Sequence, residues 1–411
     1  MSTAAAPARA LLEAELGAES VREGTPADAI GGHVPAAVVT PADEAAVAAA
    51  CRLAHREGLA LVVRGGGTRQ GWGRPPRRCD AVLHTARLRG VVEHAPGDLV
   101  CTVRAGTTLA ELGEVLAAAH GHRQCLPLDP PQPAEQTLGG AVATAAAGPL
   151  RVRYGTARDL VIGTRFVLAD GTVGHSGGKV VKNVAGYDVS RLLVGSLGTL
   201  AVITEVTVRL HPVPPARRTL LVERASAARL ADLGDLLRTA PVVLGIADIC
   251  WPEAICRLRV EGTEEAVDDQ AAGLAELTGA RLLDDGEAAE LDASVAARPW
   301  RGAGAIAGIA VPRTRIAGLL EAASAFATEI VVRAPLGVAE ARLPELPELV
   351  TQLRAAVERL GGHLVLHRGG AALGGVAWPA ADGPEVALMR SLKRALDPEG
   401  VLAPGRALGD A

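Results

Sequence analysis

The sequence predicts an α+β protein of two domains, and three features carry that expectation. Up to residue 210, β-branched runs alternate with helical patterns and glycine-rich breaks. His211-Pro212-Val213-Pro214-Pro215 then makes a stiff linker. Beyond it the element order reads βαββαβ, and the same order recurs from Ile306 to Leu366. The stretch that organises the chain is Gly177 to Leu210. There Leu200, Val202, Thr204, Val206, Val208 and Leu210 share one face of a period-two pattern, with Glu205, Thr207 and Arg209 on the other, which defines a half-buried strand.

Composition narrows the function. At 411 residues, with 49% hydrophobic and 21% charged, the chain is long enough for two buried cores. A formal charge of −4 offers no basic field for nucleic acid and no polybasic patch for a membrane. An aromatic content of 2% argues against base stacking. The six cysteines are dispersed with no CxxC pair, so the sequence encodes neither a zinc nor an iron–sulfur site, and reduced structural thiols are expected. The first 20 residues lack a sustained apolar core, and no later apolar run approaches the ~20 residues of a membrane span. A cytoplasmic protein is expected, peripheral to a membrane at most through partners.

In chain order, residues 1–30 read as a loosely packed leader, and 31–213 as the first domain. Val38 and Val39 begin a strand; Thr40 caps a helix with Pro41 at its first position, whose stripe is Val47, Cys51 and Ala54 and whose end is Gly58. The strand Leu59 to Val63 runs into Arg64-Gly65-Gly66-Gly67-Thr68. Successive glycines leave backbone N–H groups uncovered, as a pyrophosphate needs from a protein with little basic charge; the alternative is a plain turn. A dinucleotide fingerprint would open a helix, whereas Gly71-Trp72-Gly73-Arg74-Pro75-Pro76 forbids one. Strands follow at Ala81 to Leu83, Val91 to Glu93 and Leu99 to Arg104, and Thr108-x-x-Glu111 is a capping box. From Leu126 to Pro149, prolines block regular structure while Gly139-Gly140 permit close approach; a packed helix start at Ala141 to Ala147 is the alternative. Ile162, Thr164, Phe166 and Leu168 alternate up to Asp170-Gly171, a hairpin turn.

Residues 216–375 form the second domain, two ferredoxin-like halves in one α+β unit, and 376–411 a closing segment. His363 and His367 lie on a predicted strand, ~13 Å apart at ordinary rise and so too far for one metal ion. No metal site is expected.

The string KNVAGYDVSRLLVGSLGTLAVITE resembles the signature of the vanillyl-alcohol-oxidase or PCMH-type FAD-binding family, and is most similar to its glycolate-oxidase FAD-binding (E) subunits. The likeness runs from about Val38 to Leu210 and again from Leu392 to Leu408. It implies a PCMH-type two-subdomain FAD-binding domain followed by a ferredoxin-like cap. It implies cofactor contacts from Arg64, Gly65, Gly66, Gly67, Thr68, Pro127, Gly139, Gly140, Thr144, Gly148, Tyr154, Gly155, Gly198, Ile203 and Arg406. Thr68 stands where relatives that attach FAD covalently often carry histidine, so non-covalent FAD is implied. Lys179, Lys182 and Arg406 are candidates for stabilising an anionic substrate or reduced flavin; as solvated side chains the lysines would have no role, and Arg406 would be an exposed basic tail.

The resemblance implies the FAD-binding subunit of a glycolate oxidase, converting glycolate to glyoxylate with a catalytic FAD subunit and an iron–sulfur subunit. Two alternatives stand beside it: a stand-alone FAD-dependent dehydrogenase of D-lactate or another D-2-hydroxy acid, and a non-catalytic flavoprotein scaffold. The sequence names no catalytic base.

Overall fold

The structure is a computed structural model that describes residues 5–119, 121, 123–178, 187–296, 298–369, 371–378 and 383–407. The chain divides into two compact units, the first comprising Met1–Ala146, Thr156–Pro212 and Ala380–Ala411, the second Ala147–Gly155 and Val213–Pro379.

Two sheets build the first unit. The strands Val21–Glu23, Ala37–Val39, Ala81–His84 and Leu61–Arg64 lie side by side in that order, the last three parallel. Parallel neighbours need a crossover, and the helix Glu44–Glu57 supplies it, burying Val47, Ala50, Cys51 and Ala54. Its N-cap is Asp43, whose carboxylate accepts from the Ala46 N–H at 2.8 Å, rather than the expected Thr40. The Thr40 N–H donates to the Ser20 carbonyl, and residues 42–43 bend before the helix begins. Gly58 ends the helix in the left-handed region, as expected.

Of the leader expected over residues 1–30, the described part from residue 5 onward is packed rather than loose. The helix Ala5–Leu16 places Leu12 at 0% exposure in one core with Val21, Val47 and Cys51. Its few apolar side chains fall on one face among alanines, too sparse a stripe to read without its partner helix.

The second sheet of this unit is antiparallel, in the order Val91–Ala95, Val100–Arg104, Val202–Arg209, Val161–Val167 and Val173–Gly177. The organising strand is therefore central, and from Val206 to Arg209 its burial alternates as its sequence does. The capping box forms: Thr108 Oγ1 accepts from the Glu111 N–H, and Glu111 Oε2 from the Thr108 N–H, opening the helix Leu109–Ala118. A second helix, Leu138–Ala143, opens on Thr137, whose hydroxyl accepts from the Gly140 N–H. The small residues Ala141 and Ala143 thus lie in the second half of a short helix that starts at Leu138, despite the prolines before it.

The second unit is one eight-stranded sheet: Arg281–Leu282, Ala216–Val222, Ile255–Gly262, Leu244–Trp251, Glu329–Arg333, Val338–Leu343, Ala305–Ala310 and His363–Arg368. Every pairing is antiparallel. Each half repeats βαββαβ, and the halves join where Asp248 pairs with Arg333 and Ile249 with Val332. Helices Ala227–Thr239, Glu264–Thr278, Ile316–Phe326 and Pro347–Arg359 share one core with the strands' apolar face.

The other face buries charge at that junction. Asp248, at 0% exposure, accepts from Arg257 and from Arg333, and Arg257 also donates to Asp292 at 2.7 Å. Burial pushes the Asp248 carboxyl up, but the Arg333 and Arg257 guanidiniums outweigh it and hold it below the usual carboxylate range.

Candidate functional site

The strand Leu61–Arg64 delivers the chain into residues 65–73, which run as turns and bends with no helix. They form one wall of a cleft in the first unit, lined there by Gly65, Gly66, Gly67, Thr68, Arg69 and Gln70. A second wall comes from the helix Leu138–Ala143 and its approach: Gln136, Gly139, Gly140, Ala143 and Thr144. The third is the entry to the central strand, with Leu197, Gly198, Ala201 and Ile203, and Arg406 arrives from the end of the chain.

The glycines let these walls approach closely. A Cβ on Gly66 would fall 1.6 Å from the Glu135 carbonyl oxygen, and one on Gly65 would fall 2.2 Å from Thr137 Oγ1. A side chain at Gly66 would therefore strike the approach to the second wall. Gly67 differs, at φ +77° with its nearest neighbour, Arg64 Cδ, 3.8 Å from a built Cβ. It is there for backbone conformation.

Polar side chains tie the walls. Thr68 Oγ1 donates to Gln136 Oε1 at 2.7 Å, and Gln70 Nε2 donates to the Val63 carbonyl at 3.0 Å. Arg69, buried at 5% exposure, donates to the Pro131 carbonyl and lies over the Trp72 ring, 5.4 Å from its centroid. Arg406 is buried at 3% exposure, so it is not an exposed tail. It donates to the Trp72 carbonyl at 3.2 Å, to Gln70 Oε1 at 3.1 Å and to the Gln70 carbonyl. Burial pushes its guanidinium down to about 10, which leaves it cationic at neutral pH.

Of the residues expected at a cofactor, the cleft gathers Gly65, Gly66, Gly67, Thr68, Gly139, Gly140, Thr144, Gly198, Ile203 and Arg406. The Arg64 side chain is committed elsewhere. It donates to Asp28 at 2.9 Å, and Arg22 donates to the same carboxylate through two nitrogens, at 2.7 Å each. The Arg22 guanidinium, with help from Arg64 and Thr25, holds the Asp28 carboxyl far below the usual range against the opposing effect of burial. Pro127 is buried outside the cleft lining. Gly148, Tyr154 and Gly155 belong to the second unit, where the Tyr154 hydroxyl donates to Glu261 Oε2 at 3.2 Å. Lys179 and Lys182 lie outside the described residues.

His363 and His367 occupy the expected strand, and His367 is stacked on Trp300 with ring centroids 6.4 Å apart. Gly308 makes room for that ring, since a Cβ there would fall 2.2 Å from His367 Cε1. Among the described residues, no group of three or more His, Cys, Asp or Glu side chains is placed to hold a metal ion, and no helix is long and apolar enough to cross a membrane. Sequence reasoning missed Arg69, Gln70 and Gln136. The available signal for the last was Thr137-x-x-Gly140, which marks a helix start directly after it.

Comparison with known proteins adds an independent line. Residues 35–177 match the FAD binding domain family, and residues 343–407 match the C-terminal domain of FAD linked oxidases. The glycolate oxidase subunit GlcE of Escherichia coli is 37% identical over 211 residues, 50% of this chain and 57% of its own. A D-lactate dehydrogenase of Archaeoglobus fulgidus is 39% identical over 177 residues, 43% of this chain and 38% of its own. The chain thus spans little more than half the length of one of these relatives and less than half of the other. A D-2-hydroxyglutarate dehydrogenase of Xanthomonas citri is 27% identical, over 90% of this chain and 89% of its own. Among solved structures, p-cresol methylhydroxylase with substrate bound superposes with a TM-score of 0.76, covering 100% of this chain and 98% of that one at 17% identity, a likeness of fold.

Proposed function

We propose, from the chain's membership of the vanillyl-alcohol-oxidase/PCMH-type FAD-binding family, that it is a FAD-dependent dehydrogenase of D-2-hydroxy acids that works without a partner subunit. The cofactor is FAD, held non-covalently, since Thr68 offers no imidazole for attachment. Bound FAD supplies a hydride acceptor for the oxidation of an alcohol to a ketone or aldehyde.

The cleft of the first unit fits that cofactor on its own geometry. Its glycines let two main-chain walls approach closely, and two buried arginines, Arg69 and Arg406, place positive charge beside them, which suits a dinucleotide's phosphates. The residues that would hold FAD are Gly65 to Gln70, Gly139, Gly140, Thr144, Gly198, Ile203 and Arg406. Thr68 would stay non-covalent, its hydroxyl engaged by Gln136.

The observation that carries the choice of substrate and of a lone chain is coverage. The D-2-hydroxyglutarate dehydrogenase aligns along 90% of this chain, whereas the glycolate oxidase subunit aligns along 50%. A second D-2-hydroxy-acid enzyme, the D-lactate dehydrogenase, has the higher identity, 39%, over the part it shares. The 37% identity with the glycolate oxidase subunit keeps a second reading in view: an FAD subunit that oxidises glycolate with a catalytic FAD subunit and an iron–sulfur subunit.

Anaerobic titration of the purified chain with D-lactate, D-2-hydroxyglutarate and glycolate, followed by flavin absorbance, separates the two. Bleaching of the lone chain by a D-2-hydroxy acid is the expected result. Bleaching by glycolate that requires added partner subunits would refute the stand-alone reading.

A further inference from the structure

The end of the chain does more than bring Arg406 to the cleft. After the helix Pro384–Leu396, Leu402 pairs in parallel with Leu61, the first residue of the strand that carries the glycine loop. The Leu61 N–H donates to the Val401 carbonyl at 2.7 Å, and the Ala403 N–H to the Leu61 carbonyl at 2.8 Å. This pairing is secured from beneath by one buried ammonium. Lys393, at 7% exposure, donates to Asp397 Oδ2 at 2.5 Å, to the Leu402 carbonyl at 2.8 Å and to the Thr199 carbonyl at 2.8 Å. An ammonium has three N–H donors, and all three are used. Asp397, at 2% exposure, in turn accepts from the Val401 and Leu402 N–H groups.

The Thr199 carbonyl is the informative partner, because Thr199 directly follows Leu197 and Gly198 of the cleft's third wall. Leu197 and Gly198 both have positive φ, 55° and 70°, and both line the cleft. The left-handed region is unfavourable for leucine, so this turn holds its shape only if its surroundings over-determine it. The Leu197 N–H is tied to the Ala143 carbonyl on the second wall, and the far end of the turn is tied to Lys393. A buried ion pair is weak evidence for stability and is best attested as a device that sets register.

We propose that Lys393, with Asp397, is a positioning residue for the cofactor: it fixes the Leu197–Thr199 turn against the first wall, so that FAD binding and docking of the 397–403 segment are one coupled event. This rests on the reading of the cleft as the FAD site.

The test is FAD titration of apoprotein made from Lys393→Met and from the charge-neutral double variant Lys393→Met/Asp397→Asn, with thermal unfolding of each. The single variant leaves a buried carboxylate unpaired and is expected to lose stability and affinity together. The double variant is expected to recover much of the stability while its Kd stays raised by about tenfold or more, the scale of a lost hydrogen bond to a charged group. Affinity that returns with stability would make the pair a fold staple and overturn the proposal. Hydrogen exchange on the unaltered chain gives an answer even if the variants do not fold. Adding FAD to apoprotein should protect amides 397–403 together with 196–201, and protection of 196–201 alone would overturn the proposal. Gly66→Ala separates the premise from the inference. If that variant loses FAD and the double variant does not, the cleft reading stands and the clamp falls; if neither loses FAD, the cleft reading falls as well.

Discussion

Replacing Gly66 with alanine is the most direct perturbation of the cleft, because the clash is with main chain. The new Cβ would lie 1.6 Å from the Glu135 oxygen and 2.7 Å from its carbonyl carbon. Ordinary contact lies near 3.5 Å, so the first two walls must part by roughly 2 Å or the loop must turn aside. Overpacking a well-fitted contact costs about 1–3 kcal/mol. If binding alone bore this strain, the FAD Kd would rise by about 5- to 150-fold, at 1.4 kcal/mol per decade. Gly67→Ala is the matched control. Its Cβ meets nothing nearer than 3.8 Å, so only the positive φ of 77° opposes it, at about 1–2 kcal/mol. Fluorescence titration of apoprotein with FAD should therefore rank the affinities wild type, Gly67→Ala, Gly66→Ala, from tightest to weakest. Gly66→Ala with wild-type affinity and an unchanged melting temperature would refute the close approach of residues 65–67 to 135–137.

Two further substitutions test the charge clusters. Asp28→Asn removes the carboxylate that anchors Arg64 just before the glycine loop; it should destabilise by less than the about 3–5 kcal/mol of a fully buried pair, because Arg22 is 52% exposed. The folded-state pKa of Asp28 is depressed, so its contribution is fully present above the unfolded carboxylate range and declines progressively as pH falls from there toward the depressed folded value; the gap between the urea midpoints of wild type and variant should begin to narrow below about pH 4 and still be narrowing at about pH 2, and a constant gap would refute the assignment. Asp248→Ala leaves Arg257 and Arg333 buried without their shared partner and should cost about 3–5 kcal/mol. An unchanged unfolding midpoint would show that the junction of the two half-sheets does not depend on that charge.

What could be read in the sequence follows the range of the interaction. The Thr108–Glu111 box, the Gly58 terminator and the Asp170-Gly171 turn each close within a few residues, so their chemistry is written in adjacent letters. The central strand was legible because its alternation is imposed by a single buried face. The repeated βαββαβ order was legible for the same reason, but the pairing of Asp248 with Arg333 that makes the halves one sheet links positions 85 residues apart. Contacts of that span leave no local pattern. Arg64 shows the consequence for a site: its place beside three glycines fits a phosphate ligand, and only the fold reveals that Asp28, 36 residues earlier, takes the side chain away. The Lys393 contact with Thr199 spans 194 residues and was equally hidden.

The buried arginines of the two units carry their charge under different terms. Burial alone would push each guanidinium down, and at Arg257 the Asp248 and Asp292 carboxylates overcome that effect and raise it. At Arg406 burial prevails and the value falls to about 10, even though the side chain hydrogen-bonds to the Trp72 and Gln70 carbonyls. Carbonyl dipoles orient a guanidinium, but they offset less of its desolvation than a carboxylate does. Arg257 is bound to the Asp248 and Asp292 carboxylates, while Arg406 donates to the Trp72 and Gln70 carbonyls and to Gln70 Oε1 and so fixes the loop that lines the cleft. What suits Arg406 to a phosphate or a reduced flavin is its place, a buried cation on the lining of the cleft beside Gly65 to Gln70, whereas Arg257 closes the junction of a sheet.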